Sequence, residues 1–315
     1  MKKKNDLKGK KIVVTGGAGF IGSHIVDELV SLGAKVVVID DHSTGNKKNL
    51  KHHSNNIKVV KGSINDTKKL ISAFKDASAV VHLAAIPSVP RSVADPIKSH
   101  EANSAGTLSV FHAAYKAGVP RVVYSSSCSV YGDTPILPKV ETMPTNPLSP
   151  YAVQKMTMEL YAKIFHRLFG LETIGLRYFN VFGPRQDPHS EYSAVIPKFI
   201  NLIKQGKKPT IYGDGEHTRD FTYIANVVDA NINALTATKG FGDVYNIAAG
   251  DRISLNELIQ KINKHLKTSI KPEYAAPRAG DIKDSFADIT KARKLLGYEP
   301  KVSFEDGLIL TIESI

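Results

Sequence analysis

The distribution of hydrophobic and polar positions divides the first half of the chain into short and long segments. Apolar, β-branched runs such as residues 12–14 and 36–39 alternate with longer amphipathic stretches. Continuous apolar runs of this length are typical of parallel strands that are covered on both faces. The alternation indicates βαβ units, so we predict an α/β protein with a doubly wound parallel sheet.

The predicted elements follow from these runs and from the glycines and prolines that interrupt them. The predicted strands are Lys11–Thr15, Lys35–Asp40, 58–61, 79–83, 121–125 and 172–177. The predicted helices are 22–32, Thr67–Phe74, 103–117 and 151–169. The last of these helices is expected to begin after Pro150 and to end at Gly170.

Beyond about residue 180, glycine and proline interrupt the pattern more often, which indicates a smaller lobe joined to the sheet. A predicted helix at 219–235 and a predicted strand at 243–248 resemble the first half again. We therefore expect residues 1–180 to form the main domain and residues 181–315 to form a smaller α/β lobe. The two are expected to be interleaved, because residues 219–250 would return to the main domain.

Composition and charge narrow the classes of function. The 315 residues are 42% hydrophobic and 23% charged, which is typical of a soluble globular protein. No apolar run approaches the ~20 residues of a membrane-spanning helix, so no membrane association is expected. The net charge of +12 comes from lysines spread along the chain, and there is no tryptophan. This pattern indicates a solvated basic surface rather than nucleic-acid binding.

The single cysteine and the histidines give little support for a disulfide or for a metal site. Cys128 has no partner for an internal disulfide, which favours a reducing, cytoplasmic location, and we interpret it as a structural thiol. The 11 histidines, including the pair His52 and His53, show no metal-ligand spacing. We therefore predict no metal site.

A glycine-rich turn directly follows the first predicted strand. Gly16, Gly19 and Gly22 have the spacing G-x-x-G-x-x-G, and a predicted helix begins there. Glycines let the backbone approach a pyrophosphate, which the helix N-terminus also attracts. The second predicted strand ends in Asp40, whose carboxylate can hold both adenosine ribose hydroxyls and would repel a 2′-phosphate. The sequence therefore predicts a Rossmann-type dinucleotide site that prefers NAD.

A second motif lies at the start of the last predicted helix. Tyr151 and Lys155 are one helical turn apart and share a face of the helix. A nearby ammonium stabilises a tyrosinate, so the pair can shuttle the proton of a secondary alcohol. Ser127 follows a predicted strand, where open α/β sheets bind ligands, and can hydrogen bond the reacting hydroxyl. Taken singly, each feature is also compatible with a packing tyrosine or a polar turn.

Together with these motifs, several longer ones make the chain resemble the extended short-chain dehydrogenase/reductases, and among them the UDP-hexose 4-epimerases. The matching motifs occur in the same order as in the family and cover nearly the whole chain. The motifs are TGGAGFIG at 15–22, HLAA at 82–85, SSSCSVYG at 125–132, SPYAVQK at 149–155, RYFNVFG at 177–183, GDGEHTRD at 213–220 and PRAGD at 277–281.

The resemblance implies a role for each site residue. Ser127, Tyr151 and Lys155 match the catalytic residues. The positions implied to contact NAD are Gly16, Gly19, Phe20, Ile21, Gly22, Asp40, Ser63, Ile64, Leu83, Ala84, Ala85, Tyr151 and Lys155. Those implied to contact a UDP-hexose are Ser88, Ser127, Tyr151, Asn180, Val195, Tyr212, Arg219, Arg278, Asp281 and Ser285. Ser63 departs from the family, which usually has an acid there, although a hydroxyl can still accept a hydrogen bond.

The reaction that the resemblance implies is epimerisation at C4 of a UDP-hexose. Tyr151 takes the proton of the 4-hydroxyl while C4 gives a hydride to NAD⁺. The hydride then returns to the opposite face of the 4-keto sugar, so the cofactor is not consumed. The related 4,6-dehydratases carry an acidic pair where this chain has Cys128 and Ser129, which argues against dehydration.

Ser285 occupies a position that selects the sugar in this family. A small residue there admits an N-acetyl group at C2, which favours UDP-GlcNAc and UDP-GalNAc and permits UDP-glucose and UDP-galactose. Because a small residue removes a clash without creating a preference, a UDP-glucose-only or UDP-glucuronate 4-epimerase stays open. A sugar-nucleotide dehydrogenase or reductase also stays open. A homodimer built from the predicted helices 103–117 and 151–169 is expected from the resemblance alone.

Overall fold

The computed structural model describes residues 6–187, 195–277 and 284–315. The strands are β1 Lys11–Thr15, β2 Lys35–Asp40, β3 Ile57–Lys61, β4 Ala79–His82, β5 Arg121–Ser127, β6 Glu172–Tyr178, β7 Val181–Phe182, β8 Thr210–Tyr212, β9 Thr218–Arg219, β10 Thr222–Tyr223, β11 Asp243–Ile247, β12 Ile253–Ser254 and β13 Glu273–Ala275. The α-helices are α1 Phe20–Ser31, α2 Thr67–Phe74, α3 Val89–Ala94, α4 Pro96–His100, α5 Gly106–Lys116, α6 Pro150–Phe169, α7 Val195–Lys204, α8 Ile224–Leu235, α9 Leu255–Leu266, α10 Thr290–Leu296 and α11 Phe304–Ser314.

Seven strands form one parallel sheet in the order β11-β6-β5-β4-β1-β2-β3. All six strands predicted in the first half belong to it, and the parallel, doubly wound arrangement is confirmed. The strand order reverses between β1 and β4. In open α/β sheets, ligands bind in the crevice outside the carboxyl ends of the strands at such a reversal.

Alternate side chains of β1, β2, β4 and β5 enter two separate cores, one on each face of the sheet. Val14 of β1 packs in one core with Leu29 of α1. Its neighbour Val13 packs in the other core with Leu70 of α2 and Phe111 of α5. Burial on both faces explains why these strands are continuous apolar runs rather than alternating ones.

The chain returns to the seven-stranded sheet late in its second half. β11 adds a strand beside β6, with Tyr245 opposite Leu176, and α8 packs on α1 and against β5 and β6. The predicted strand at 243–248 is therefore confirmed. Elsewhere in the second half of the chain, α7 packs on α9, and β8 pairs in parallel with β13.

The predicted helix at 219–235 is wrong in its first part, because α8 begins only at Ile224. Arg219 lies in β9 and faces Ile253 of the antiparallel strand β12. Tyr223 lies in β10 and faces Phe182 of the parallel strand β7. Backbone pairing with these two segments, which are distant in sequence, overrides the local pattern.

The predicted helix at 103–117 is one part of a longer and irregular helix. α4 runs into a π-helical segment, Glu101–Ala105, which continues directly into α5. Single π-helical turns of this kind are rare and frequently occur at functional sites.

None of the described helices combines the length and the apolar character that crossing a membrane requires.

Candidate active site

Two glycines of the turn between β1 and α1 stand where there is no room for a side chain. Gly16 has a φ of +72°, and a Cβ on it would lie 2.7 Å from the backbone nitrogen of Ala84. A Cβ on Gly22 would lie 2.1 Å from the carbonyl oxygen of Gly16. The N-cap of α1, Gly19, makes no side-chain cap hydrogen bond. The first N–H groups of the helix, beginning with Phe20 and Ile21, are therefore available to an anion.

The predicted cofactor positions after β3 and β4 also lie at the carboxyl edge of the sheet. The backbone N–H of Leu83 donates to the carbonyl oxygen of Thr15 at 3.1 Å, which holds residues 83–85 beside the end of β1. Ser63 is exposed and Ile64 is buried just after β3. These segments line the same crevice as the glycine turn.

Asp40 ends β2 with its carboxylate anchored at the glycine turn. The side chain is only 6% exposed. Its Oδ2 accepts the backbone N–H of Ala18 at 2.8 Å, and its Oδ1 accepts the backbone N–H of His42 at 2.8 Å. Each carboxylate oxygen keeps a further lone pair, so both can still accept hydrogen bonds from ribose hydroxyls.

Local capping fixes the start of α6 and therefore the position of Tyr151. The hydroxyl of Ser149 accepts a backbone N–H of the first turn at 3.2 Å, and Pro150 is the first helical residue, where its missing N–H costs nothing. The N–H of Tyr151 donates to the buried hydroxyl of Ser92 in α3 at 3.0 Å. The helix start is thus held both by its own cap and by a neighbouring helix.

Ser127 and Tyr151 meet at the carboxyl end of β5. Burial raises the pKa of Tyr151 to about 12. The Ser127 side chain lies close enough to the Tyr151 phenol to lower its pKa, against the effect of burial. A nearby positive charge is therefore needed for Tyr151 to act as a base near neutral pH.

Lys155 provides a cation one helical turn from Tyr151. Its side chain is 2% exposed, and burial lowers its pKa to about 8, with Glu159 acting in the opposite direction. Its Nζ donates to the carbonyl oxygen of Ser125 at 2.6 Å and lies 5.8 Å from the centre of the Tyr151 ring. The structure thus brings together the three residues that the sequence singles out for proton transfer.

A buried ion pair lies behind Lys155. Arg177 of β6 binds Glu159 of α6 with Nη2 to Oε2 at 2.7 Å, and the two side chains are 4% and 10% exposed. Ser126 of β5 donates to Oε1 of the same carboxylate at 2.5 Å. Two strands and the catalytic helix are therefore connected through one carboxylate.

Asn103, in the π-helical segment, connects the cofactor side of the crevice to α6 and was missed from the sequence. Its Oδ1 accepts the backbone N–H of Ile86 at 2.7 Å, and its Nδ2 donates to Oε1 of Gln154 at 2.8 Å. Both side chains are buried, and Gln154 directly precedes Lys155. A single asparagine within a helix has no spacing signal. The only sequence signal was Gln154, a polar residue that lies on a buried face of the predicted helix and needs a buried hydrogen-bond partner.

Three of the predicted substrate residues lie together beside the smaller lobe. Asn180 follows β6 with a φ of 33°, and its Nδ2 donates to the hydroxyl of Ser285 at 2.9 Å and to the carbonyl oxygen of Asp220 at 2.9 Å. Ser285 is 7% exposed and forms an isolated parallel bridge with Arg219. The interior position of Ser285 differs from that of a serine on a surface loop.

Cys128 links this group to the catalytic end of β5. Burial raises the pKa of the Cys128 thiol to about 11, and the neighbouring backbone of Asn180 acts in the opposite direction. At neutral pH the thiol therefore stays protonated. This agrees with the interpretation of Cys128 as a structural rather than a nucleophilic cysteine.

The remaining predicted substrate positions lie on separate segments. Ser88 is the N-cap of α3, with its hydroxyl accepting the backbone N–H of Arg91 at 3.2 Å. Val195 is the first residue of α7 and Tyr212 the last of β8. The predicted positions Arg278 and Asp281 lie outside the described residues.

Comparisons with known proteins agree with this geometry. A family model described as the NAD dependent epimerase/dehydratase family matches residues 12–248. A solved structure of a UDP-N-acetylglucosamine 4-epimerase from Methanobrevibacter ruminantium M1, in complex with UDP-N-acetylmuramic acid, is similar with a TM-score of 0.94 at 43% identity, and the match covers 98% of each chain.

Two further relatives are similar over nearly their whole lengths. A UDP-glucose 4-epimerase from Mycolicibacterium smegmatis is 40% identical over 308 residues, which are 96% of this chain and 97% of that protein. The structure of a UDP-glucuronic acid 4-epimerase mutant from Bacillus cereus contains UDP-4-deoxy-4-fluoro-glucuronic acid and NAD. It matches with a TM-score of 0.90 at 33% identity, covering 96% of this chain and 98% of that one.

Proposed function

Because the chain belongs to the NAD-dependent epimerase/dehydratase family, we propose that it inverts the configuration at C4 of a UDP-hexose. The observation that carries this proposal is the meeting of Ser127, Tyr151 and Lys155 at the carboxyl end of β5. A protein that only bound a dinucleotide would have little need for this arrangement. Relatives named UDP-sugar 4-epimerases support the same reaction.

The cofactor is NAD, and the residues of the crevice fit it. The pyrophosphate would lie against the N-terminus of α1, where Gly16 and Gly22 exclude any side chain. Asp40 would hold the adenosine ribose, and its anchored carboxylate would repel a 2′-phosphate. When bound, NAD⁺ accepts a hydride from C4 of the sugar and returns it to the other face.

The chain's own residues move the proton of the reacting hydroxyl. Tyr151 removes it, and the neighbouring hydroxyl of Ser127 would hydrogen bond the sugar oxygen and hold it in line. Lys155 stabilises the tyrosinate by its charge. The same tyrosine returns the proton when the alcohol forms again, so neither a second substrate nor an external base is required.

Dehydration of the sugar is disfavoured by the same site. Eliminating water across C5 and C6 needs an acid beside Ser127, and this chain has Cys128 and Ser129 there. The raised pKa of the Cys128 thiol, about 11, makes it a poor proton donor for that purpose.

The proposed substrate is UDP-GlcNAc, interconverted with UDP-GalNAc. Ser285 is a small residue that accepts a hydrogen bond from Asn180. We propose that Asn180 binds the UDP diphosphate. A serine there leaves room for an N-acetyl group at C2. The likeness to a UDP-N-acetylglucosamine 4-epimerase supports this choice. UDP-glucuronate is the second candidate, because a similar structure has the name of a UDP-glucuronic acid 4-epimerase.

The division of labour between the lobes is part of the proposal. Residues 1–180 with 219–250 would hold NAD, and the rest of 181–315 would hold the UDP-sugar. Arg219, at the boundary between the two parts and paired with Ile253, would bind the nucleotide part of the substrate together with the predicted contacts Arg278 and Asp281. The single, partly buried Cys128 supports a reducing, cytoplasmic location.

We also propose a homodimer that pairs α5 and α6 of two copies. α6 exposes large apolar side chains, with Leu160 58%, Ile164 44% and Leu168 69% exposed. Tyr115 of α5 and Phe169 of α6 stack beside them with ring centres 4.8 Å apart. Such a face on two adjacent helices is well suited to a second copy of itself.

Product analysis tests the reaction and the substrate together. Purified protein is incubated separately with UDP-GlcNAc, UDP-glucose and UDP-glucuronate, without added NAD, and the products are identified by NMR. We expect the C4 epimer of UDP-GlcNAc and no net change in absorbance at ~340 nm, because the cofactor is regenerated. In a parallel incubation supplied with NAD⁺, net formation of NADH without an epimer would instead identify a dehydrogenase.

Two variants of Ser285 separate the reaction from the choice of sugar. Ser285→Tyr is expected to lose at least about tenfold in conversion of UDP-GlcNAc and to keep conversion of UDP-glucose. Ser285→Ala is the matched control, because it removes the hydrogen bond to Asn180 without adding bulk. Conversion of UDP-glucose or UDP-glucuronate alone by the unaltered protein would keep the epimerase and overturn the N-acetylated substrate.

A further inference from the structure

We propose that Asp27, His52 and His53 form a binding site for a divalent transition-metal ion such as Zn²⁺, separate from the catalytic crevice. Asp27 lies on α1, and the two histidines end the 3₁₀ helix Lys47–His53, which follows β2. The adjacent histidines alone have no metal-ligand spacing, which is why the sequence predicts no metal. The fold adds a carboxylate to them.

The ligand atoms of the three residues converge. Nε2 of His52 and Nε2 of His53 each lie 2.9 Å from the same Oδ1 of Asp27. All three ligand atoms lie within 4.8 Å of one another. In a tetrahedral site with ligands at about 2.0–2.2 Å from zinc, the ligand atoms are about 3.4 Å apart. Shifts of roughly half an ångström would therefore open the cluster enough for an ion.

Two histidines and a carboxylate are a favourable ligand set for borderline ions. Imidazole and carboxylate bind Zn²⁺ well, and three protein ligands leave a position for water. The two imidazoles donate to Asp27 from Nε2 in the metal-free cluster. On binding, each ring moves its proton from Nε2 to Nδ1 and presents the freed lone pair to the metal.

The surroundings hold the carboxylate and leave the cluster open. Nη2 of Arg185 binds the other oxygen of Asp27, Oδ2, at 2.7 Å, which orients Oδ1 towards the histidines. His52 is 49% exposed and Asp27 29% exposed, so solvent reaches the ligand atoms. Asp27 also borders a cavity of about 450 Å³ whose wall includes Glu28 and Asp229.

An ion at this position would connect two parts of the cofactor-binding region. Asn49 in the 3₁₀ helix donates from Nδ2 to the carbonyl oxygen of Ala18 in the glycine turn at 3.0 Å. Metal ligation would fasten the other end of that short helix to the second half of α1. Binding to the folded chain is then expected to raise its thermal stability.

Isothermal titration of the tag-free, full-length protein with ZnCl₂ tests the site. We expect one Zn²⁺ per chain and an upward shift of Tm on saturation. Asp27→Asn, His52→Ala and His53→Ala are each expected to weaken binding at least tenfold. His100→Ala is the matched control, because His100 is exposed on α4 and far from this cluster in sequence, and it should bind as the unaltered protein does.

Asp27→Asn provides the decisive comparison, because it keeps the size of the side chain and both histidines. If this variant binds Zn²⁺ as tightly as the unaltered protein, the ion is held adventitiously by neighbouring imidazoles and the proposal is overturned. Absence of saturable binding by the unaltered protein overturns it as well. Asp27 lies on α1 and the two histidines lie on the 3₁₀ helix, so misfolding of a variant of one element, seen as a lowered metal-free Tm, leaves the other element as a test.

Discussion

Single residues at this site owe their chemistry to burial. Burial raises the pKa of Tyr151 to about 12 and lowers that of Lys155 to about 8, so both are driven towards their neutral forms. A neutral pair could not remove a proton from an alcohol. Glu159, one turn beyond Lys155, opposes the change on the lysine and favours its charged form. The proposed base thus depends on a charge that the protein itself retains.

Replacing Tyr151 by phenylalanine tests the assignment of the base. The change removes one hydroxyl and keeps the ring, so we expect kcat for C4 inversion to fall about 10²–10⁴-fold. The NAD content of the purified protein and its affinity for UDP should stay the same. Product formation followed by NMR measures kcat, the absorbance of bound nicotinamide measures the NAD content, and titration with UDP measures the affinity.

Tyr161→Phe, on the same helix and without an assigned role, is the matched control and should retain full activity. A Tyr151→Phe variant that inverts C4 at the rate of the control would place the proton transfer on another group.

Secondary-structure elements of the smaller lobe are held together by a buried carboxylate. Asp220 lies between β9 and β10, and its side chain is fully buried. It accepts backbone N–H groups from Ala249 at 3.0 Å, Gly250 at 3.3 Å and Ala287 at 3.3 Å. One residue therefore joins the segment after β11 to the segment of Ser285. Burial raises its pKa to about 7 in spite of these three hydrogen bonds.

The raised pKa of Asp220 predicts a dependence of stability on pH. An aspartate in an unfolded chain has a pKa of about 4, so between pH 4 and pH 7 the folded state binds a proton that the unfolded state has released. The contribution of Asp220 to stability is therefore complete below about pH 4 and is lost as pH rises to about 7.

Asp220→Asn removes this titration. Between about pH 4.5 and about pH 7.5, we expect the free energy of unfolding of the unaltered protein to fall on the order of 2 kcal/mol more than that of the variant. Urea unfolding of both proteins at these two values measures it. A difference between the two proteins that does not change with pH would contradict the raised pKa.

At the scale of the whole molecule, the described part of the chain leaves one apolar face exposed. α6 exposes Leu160, Ile164 and Leu168 at successive turns. Phe169, the last residue of α6, contacts Tyr115, which continues the apolar face onto α5. Exposed apolar patches of this kind mark interaction surfaces in soluble proteins. A twofold dimer would bury the patch against itself and leave the crevice at the carboxyl edge of the sheet open.

Charges placed on this face are expected to separate the proposed dimer. Leu160→Glu combined with Leu168→Glu removes about 2 kcal/mol of apolar burial per leucine. Because both copies carry the two changes, the dimer loses about 8 kcal/mol, which weakens association roughly a millionfold. Light scattering after size-exclusion chromatography should give a dimer for the unaltered protein and a monomer for this variant.

Val59→Glu is the control for this experiment, because Val59 is 45% exposed on β3, at the opposite edge of the sheet from β5 and β6, against which α6 packs. It should remain dimeric. A monomer at micromolar concentration for the unaltered protein would contradict the proposed assembly.

Patterns that depend on near neighbours in the chain could be determined from the sequence. β1, β2 and α2 have the predicted bounds, because an apolar run or a helical period is a local property. The glycine turn was predictable because its tight path permits only glycine at Gly16 and Gly22. Tyr151 and Lys155 share a helix face by spacing alone.

Contacts between residues far apart in sequence were decided only by the tertiary structure. Arg219 lies in a strand because β12 pairs with it. Asn103 reaches Gln154, and Asp27 reaches His52 and His53, only after the chain has folded. No local pattern encodes such pairs, since each side chain alone is compatible with an ordinary polar position. They exist because packing of the sheet and its helices brings the segments within hydrogen-bonding distance.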